Sequence, residues 1–483
     1  MVSKHAFMYV FSHGIPALIG FLSIAVFTRL LSPEQYGVYA LVIAITALVN
    51  AVVFEWIKLS LLRYYSQYKM ESKFLSTLKL SFLGLVLLTT IIGVMTAIIF
   101  PNISLSLVVL CLLLSWLQSW GGVNLSLMRA QLNPKSYGYY SFTRATLGIV
   151  LGTLLISSGF GAVGLLIGLI IALLLTFLRP TIQIWKVHLN TTDFDHTMFK
   201  SFLMYGLPLT LTLLMTVVIH NSDRLIIGYL MTTAATGVYS VTYDLIEQSI
   251  FTLMMVVNLA ALPIAMKVME EKGEKASYQQ VKRNTSLIFF ISIPAALGVW
   301  LLSDNLVYLL LGEQYRQAAR LLIPYIVVIA LLRGFKLYCI DIMFYLKKKT
   351  SLQVIPVVVA GVLNIVLNFV LIPVMGLEGA AIATVASYVT AILLSWMLVH
   401  IQIHPIPIPI GDLIKIVSAG LIMGLCLWPI RDHLGVISLI YQVTLGVLTY
   451  GIAAYVVNAF DLRDWANKKL YSQSKSDING GIK

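Results

Sequence analysis

The feature that most constrains this chain is its recurring apolar segments. A membrane-spanning helix needs about 20 mostly apolar residues. At its charged or Gly/Pro breaks the sequence divides into fourteen such stretches, near 6–31, 36–57, 77–100, 103–128, 137–157, 161–185, 201–222, 237–265, 285–303, 321–345, 351–374, 377–401, 411–430 and 434–459. They are numbered here as spans 1 to 14. Charged residues make up 11% of the 483 positions, against roughly 25% in soluble domains, and the mean hydropathy is +0.91. The expectation is an all-α integral membrane protein of fourteen transmembrane helices. Span 1 is too long for a signal-peptide core, ends in Arg29 and lacks a small-residue cleavage site, so it reads as a retained helix.

Three cysteines, Cys111, Cys339 and Cys426, stand singly in separate apolar runs and offer neither a disulfide framework nor a metal site. The net charge of +13 is scattered between spans and forms no continuous basic face, which argues against a nucleic-acid partner. Its distribution reads instead as membrane topology. Of the 33 Lys and Arg, 26 fall on one set of alternate loops and in the tail; five (Arg29, Arg224, Arg316, Arg320, Arg431) fall on the other side, and two (Arg333, Lys336) lie within span 10. Positively charged loops stay inside, so both termini are expected in the cytoplasm.

Two copies of one half are also visible. Span 1 reads HGIPALIGF, followed by TRLLSPEQYGVYAL; span 7 reads YGLPLTLTL, followed by DRLIIGYLMTTAATGVYSV. Gly14, Pro16, Arg29, Gly37 and Tyr39 thus match Gly206, Pro208, Arg224, Gly237 and Tyr239. GFGAVGLLIGLI, opening span 6, likewise pairs with GLEGAAIATVAS, opening span 12. The expected division is an N-lobe at 1–190 (spans 1–6), a C-lobe at 191–403 (spans 7–12), and an appended pair of spans with a cytoplasmic tail at 404–483. An even number of helices per half implies a pseudo-two-fold along the membrane normal, with the path between the lobes. HPIPIPIGD, residues 404–412, separates the appended pair because proline cannot continue a helix. Gly14, Pro16, Gly206 and Pro208 are candidate hinges, or duplicated kinks with no further role.

RLLSPEQYGVYAL near the start and YGLPLTLTLLMTVVIHNSDRLIIGYLMTTAATGVYS at mid-chain resemble the polysaccharide transporters, O-antigen flippases included, of the multidrug/oligosaccharidyl-lipid/polysaccharide (MOP) exporter superfamily. The resemblance covers the whole chain in length, helix count and lobe arrangement. It implies a bacterial inner-membrane flippase, which moves an undecaprenyl-pyrophosphate-linked oligosaccharide repeat unit from the cytoplasmic to the periplasmic leaflet. The partners it implies are that lipid-linked sugar, membrane lipid and other polysaccharide-assembly membrane proteins.

Ionisable residues deep in a span are costly and mark polar paths. Arg333 and Lys336 lie three apart on span 10, Arg333 about 20 Å from either end, with no acid at i±3 or i±4, Asp341 being eight and five residues on. Such a pair suits a pyrophosphate. Arg29 and Arg224 at the outer ends of spans 1 and 7, with Asp223 beside Arg224, and Arg144 in span 5 are further candidates for phosphate contact, or for anchoring. Asp244 and Glu247 lie on one face of span 8, where the other half has Ala44 and Ala47. They read as counter-ions to the span-10 cations, as a proton or sodium coupling site, or as inert polar positions. His13 reads as an interior histidine, and the basic, tyrosine-rich stretch 58–79 as an interfacial segment. No cofactor is expected.

The rival readings are a lipid II flippase, a multidrug or cation antiporter, and a membrane polysaccharide polymerase. Against the antiporter, span 1 carries no acid and the midplane charge is positive. Against an enzyme, no loop is long enough for a catalytic domain, and no phosphate loop of the G-x-x-x-x-G-K-[ST] type is present.

Overall fold

In hydrocarbon every backbone amide must be satisfied within its own segment, which leaves the helix as the economical solution. The computed structural model describes residues 2–69, 71–102, 104–185, 193–403 and 405–464, without the side chains at 2–13, 15, 17, 72 and 212. His13 therefore lies outside the described side chains. The described residues form α-helices and a few π and 3-10 turns, with no strand. The first half holds α1 (Val2–Leu30), α2 (Pro33–Val49), α3 (Glu55–Tyr68), α4 (Ser72–Ile99), α5 (Leu105–Ala130), α6 (Pro134–Leu155) and α7 (Gly161–Ile184). The second holds α8 (His196–Leu230), α9 (Thr233–Ile246), α10 (Thr252–Leu301), α11 (Ser303–Leu310), α12 (Glu313–Phe335), α13 (Ile342–Leu346) and α14 (Val354–Gln402). Two further helices follow, α15 (Ile410–Leu427) and α16 (Val436–Val456).

Among the described residues eight helical runs are long and apolar enough to cross a membrane, or nine with α8, which bends by 41° between Leu211 and Leu213. Three of the runs span 51, 69 and 53 residues, far beyond the ~20 needed for one crossing. Each is broken at a glycine of positive φ: Gly161, Gly273 and Gly376. Gly161 (φ 53°, ψ −136°) and Gly376 (φ 60°, ψ −135°) adopt the same backbone conformation, open only to a residue without Cβ. The match between GFGAVG and GLEG therefore runs Gly161 to Gly376 and Gly164 to Gly379, two residues off the alignment that sets Gly159 against Gly376.

α2 begins with a capping box: Ser32 accepts from the Gln35 amide, the Gln35 side chain reaches back to Ser32, and Pro33 fills the first turn. α9 begins with Thr232 accepting from the Ala235 amide. One turn into each helix stands the glycine of the duplicated G-V-Y. A Cβ on Gly37 would collide with the Thr233 carbonyl, and one on Gly237 with the Pro33 carbonyl. The two starts are thus packed backbone to backbone.

The same end of the molecule is closed by α1 against α11 and α12. Arg29 donates to the Leu309 carbonyl at 2.5 Å, the Gly312 amide donates to Thr28 Oγ1 at 3.2 Å, and Tyr315 donates to the Leu31 carbonyl at 3.0 Å. At the opposite end Ser60 of α3 donates to the Phe202 carbonyl of α8 at 2.9 Å, and Gly206 lies against the Trp56 backbone. The two halves are therefore joined at both ends. The tyrosines of the 58–79 stretch pack inward, Tyr64 and Tyr68 joining a ring cluster with Phe74 and Phe202, so α3 is more than a surface anchor. Large apolar residues left exposed on α4, α15 and α16, such as Leu87, Ile98, Leu425 and Ile437, form the face a lipid solvent would cover.

Candidate functional site

Between the two closed ends lies a cavity of about 440 Å³. Its wall is built by Gly20 and Ser23 of α1, Tyr39 of α2, Gln118 of α5 and Arg144 of α6. Pro16 lines the same space. Arg144 is among the residues that line this first-half cavity. Among the described residues it has no hydrogen-bond or ion-pair partner. A cation facing a water-accessible space without a carboxylate is a ready receptor for an anion.

The second half carries a charged cluster of its own, on α8, α9 and α12, apart from the residues that line this cavity. Arg224 on α8 pairs with Asp244 on α9 at 2.5 Å. Arg333 on α12 pairs with Glu247, and its guanidinium stacks over the Phe251 ring at 4.2 Å. His220 completes the group, with Nε2 3.3 Å from Glu247 and Nδ1 3.3 Å from both Arg333 and the Tyr243 hydroxyl. Glu247 opens a π turn, Glu247–Phe251, and π turns redirect side chains that an α-helix would place elsewhere. A Cβ on Gly20 would stand 3.4 Å from the Gln248 amide, so this turn abuts the cavity wall on α1. Asp244 keeps 29% of its side chain exposed, while Arg224 keeps 5%; the acid is the open member of the pair.

Several sequence expectations are corrected by this geometry. Lys336 does have a local acid. A π turn, Lys336–Ile340, closes with the Asp341 amide on the Lys336 carbonyl, which brings residues five apart onto one face, and Lys336 Nζ meets Asp341 Oδ2 at 2.6 Å. Both side chains are buried, so Arg333 and Lys336 do not form a shared pair of free cations. Asp244 and Glu247 serve different arginines, only one of them on α12.

Arg29 and Arg224 are not equivalent. Arg29 lies 15 residues after Gly14 and ends α1, whereas Arg224 lies 18 after Gly206 and sits inside α8. Asp223 does not neutralise Arg224, because adjacent helical residues point about 100° apart. It is buried instead among Tyr239, Thr384 and Asn368, which donate to it at 2.6, 2.6 and 2.7 Å. Of the candidate hinges, Gly14 has nothing within 4 Å of a built Cβ, while Gly206 is wedged on Trp56.

His220 and the Asp223 network went unnoticed in the sequence. Their signal was the polar run HNSDR, residues 220–224, inside an apolar span, and the asparagines 364 and 368 spaced one turn apart in another.

A family described as "Polysaccharide biosynthesis protein" matches residues 26–320. The chain belongs to that family. The described helices make it a multi-pass membrane protein. Among its relatives, the chain is 22% identical over 214 residues to the probable lipid II flippase MurJ of Thermotoga maritima, covering 43% of each chain. It is 30% identical over 160 residues to the amylovoran biosynthesis protein AmsL of Erwinia amylovora, covering 32% of this chain and 40% of that one. The matches thus span less than half the length of either relative. In fold, the chain is similar to a lipid II flippase MurJ in an inward closed conformation (TM-score 0.73, 18% identity, 95% of this chain and 100% of that one). An inward-facing multidrug resistance MATE family transporter of the MOP superfamily is also similar (TM-score 0.56, 16% identity, 81% and 98%).

Proposed function

We propose that this protein flips an undecaprenyl-pyrophosphate-linked oligosaccharide repeat unit from the cytoplasmic to the periplasmic leaflet of a bacterial inner membrane, for O-antigen or a related surface polysaccharide. The architecture proposed is fourteen membrane helices, in two six-helix lobes at 1–190 and 191–403 plus an appended pair at 404–483, with both termini cytoplasmic. The contact of Gly37 with the second half and of Gly237 with the first, and the common conformation of Gly161 and Gly376, support the two-lobe reading. On this reading the end joined by Ser32, Thr232 and Gly312 is periplasmic.

The observation that carries the proposal is Arg144, a cation on the cavity wall with no acid partner among the described residues. The pyrophosphate docks there and competes with Asp244 and Glu247 for Arg224 and Arg333. A charge-assisted phosphate contact replaces a carboxylate contact, so the arginines are never left bare. The displaced carboxylates then take the coupling ion, a proton or sodium, and rocking of the lobes exposes the site to the other side. Arg29 fastens the outer gate, and Lys336 holds its own helix together.

The test is surface polysaccharide in cells depleted of the native gene and supplied with variants at matched protein level. Arg144→Ala reduces display by more than about tenfold, and Arg144→Lys restores part of it. Normal display by Arg144→Ala ends the proposal. The likeness to MurJ favours lipid II as a second substrate reading. The lipid-linked intermediate that accumulates in the cytoplasmic leaflet on gene removal separates the two.

A further inference from the structure

Away from the first-half cavity, a second one of about 550 Å³ opens where α15 begins and α16 ends. Lys282 and Arg283 of α10 line one side, and Asp412 of α15 with Asp461 and Asp464 after α16 line the other. These opposite charges do not close on one another: among the described residues no ion pair joins either cation to any of the three acids. Asp412 accepts from Ser286 at 2.7 Å and Asp464 from Asn458 at 2.9 Å, which turns both carboxylates toward neutral donors.

The chain that brings the acids here is strained. Asn458, Phe460 and Asp461 have φ of 53°, 54° and 54°, a left-handed conformation unfavourable for residues with a Cβ and characteristic of sites under functional constraint. Phe460 is held against Phe290, ring centroids 5.8 Å apart, with the Arg283 guanidinium 5.9 Å above it. Ile410 and Ile414, either side of Asp412, are exposed apolar residues on which an acyl chain can lie.

We propose that this cavity binds the headgroup of a zwitterionic primary-amine phospholipid, the phosphate against Lys282 and Arg283 and the ammonium against Asp461 and Asp464. Separated cations and anions at a membrane edge match a ligand that carries both charges a few bonds apart. The carboxylates ask for N–H donors, which a quaternary amine lacks.

The full chain is purified, exchanged into nanodiscs of phosphatidylethanolamine, phosphatidylcholine or phosphatidylglycerol with identical acyl chains, and assayed for retained lipid by native mass spectrometry. Phosphatidylethanolamine is retained about tenfold more than either competitor. Lys282→Gln with Arg283→Gln, and separately Asp461→Asn with Asp464→Asn, abolish that preference. Thermal melts in phosphatidylcholine check folding: the variants melt there as the wild type does and lose only the gain that phosphatidylethanolamine gives. Where a pair does not fold, the single changes Lys282→Gln and Asp461→Asn are read in its place. Equal retention of the three lipids, preference for phosphatidylglycerol, or undiminished preference in the charge variants overturns the proposal.

Discussion

Gly37 and Gly237 hold the two halves of the chain together by what they lack. Each faces a backbone carbonyl of the opposite half, Thr233 for Gly37 and Pro33 for Gly237. The seam between α2 and α9 therefore runs through the two G-V-Y motifs, and a side chain at either glycine is sterically barred.

Gly37→Ala and Gly237→Ala should each force this seam apart. Overpacking of this kind costs about 1–3 kcal/mol, so both variants melt at lower temperature and fail to keep that end shut. Gly14→Ala is the control, since a Cβ there meets nothing within 4 Å; it should leave the melting temperature unchanged or raise it slightly. A Gly37→Ala protein as stable as the wild type would show that the seam is looser than its geometry.

Lys336 and Asp341 make a different prediction. Removing one member of a buried ion pair costs about 3–5 kcal/mol because the other charge is stranded. Lys336→Met or Asp341→Leu alone should lower the melting temperature and cellular level of the protein. The double variant should recover most of both, and should transport. Were Lys336 a substrate ligand, the double variant would be stable and inactive.

How much of this was legible in the sequence depends on the range of the interaction. The repeat was visible because it is written as a motif, in Gly37-Val-Tyr39 and Gly237-Val-Tyr239. That the two motifs touch was not, because contact between distant helices leaves no local periodicity. Arg333 and Lys336 were found, and Glu247 was among the counter-ions offered for them, but the partner of Lys336 was missed. Spacing arguments assume 3.6 residues per turn, whereas the π turn at Lys336–Ile340 sets a partner at i+5. Arg144 was legible as a deep cation, and its direction had to come from the packing of α6 against α1 and α7. Asp223 was read by its neighbour Arg224, when its partners lie on α9 and α14.

That carboxylate yields a third prediction. Asp223 accepts three hydrogen bonds from Tyr239, Thr384 and Asn368. Asn in its place keeps the shape but turns one oxygen into a donor, set against the donors that formerly pointed at it. Loss of hydrogen bonds to a buried charged group costs about 1.5–3 kcal/mol. Asp223→Asn should lower the melting temperature accordingly, and Thr384→Val should cost less, since two donors to Asp223 remain. Equal losses would mean that the network is held by Thr384 rather than by the carboxylate.

Glu247 tests the exchange at the heart of the proposed cycle. In the structure its carboxylate occupies Arg333, with His220 at its other oxygen. Glu247→Gln removes the charge that competes with an incoming phosphate while keeping the side-chain shape. A soluble polyprenyl-pyrophosphate analogue should therefore bind the variant more tightly than the wild type, by about tenfold for a competing contact worth ~1.4 kcal/mol. Transport should fall nonetheless, because the carboxylate that displaces the product from Arg333 is gone. Titration calorimetry of the purified variant and surface polysaccharide in cells measure the two effects separately. If Glu247→Gln weakens binding, the acid is part of the receptor for the substrate and does not compete with it, and the exchange at Arg333 does not occur.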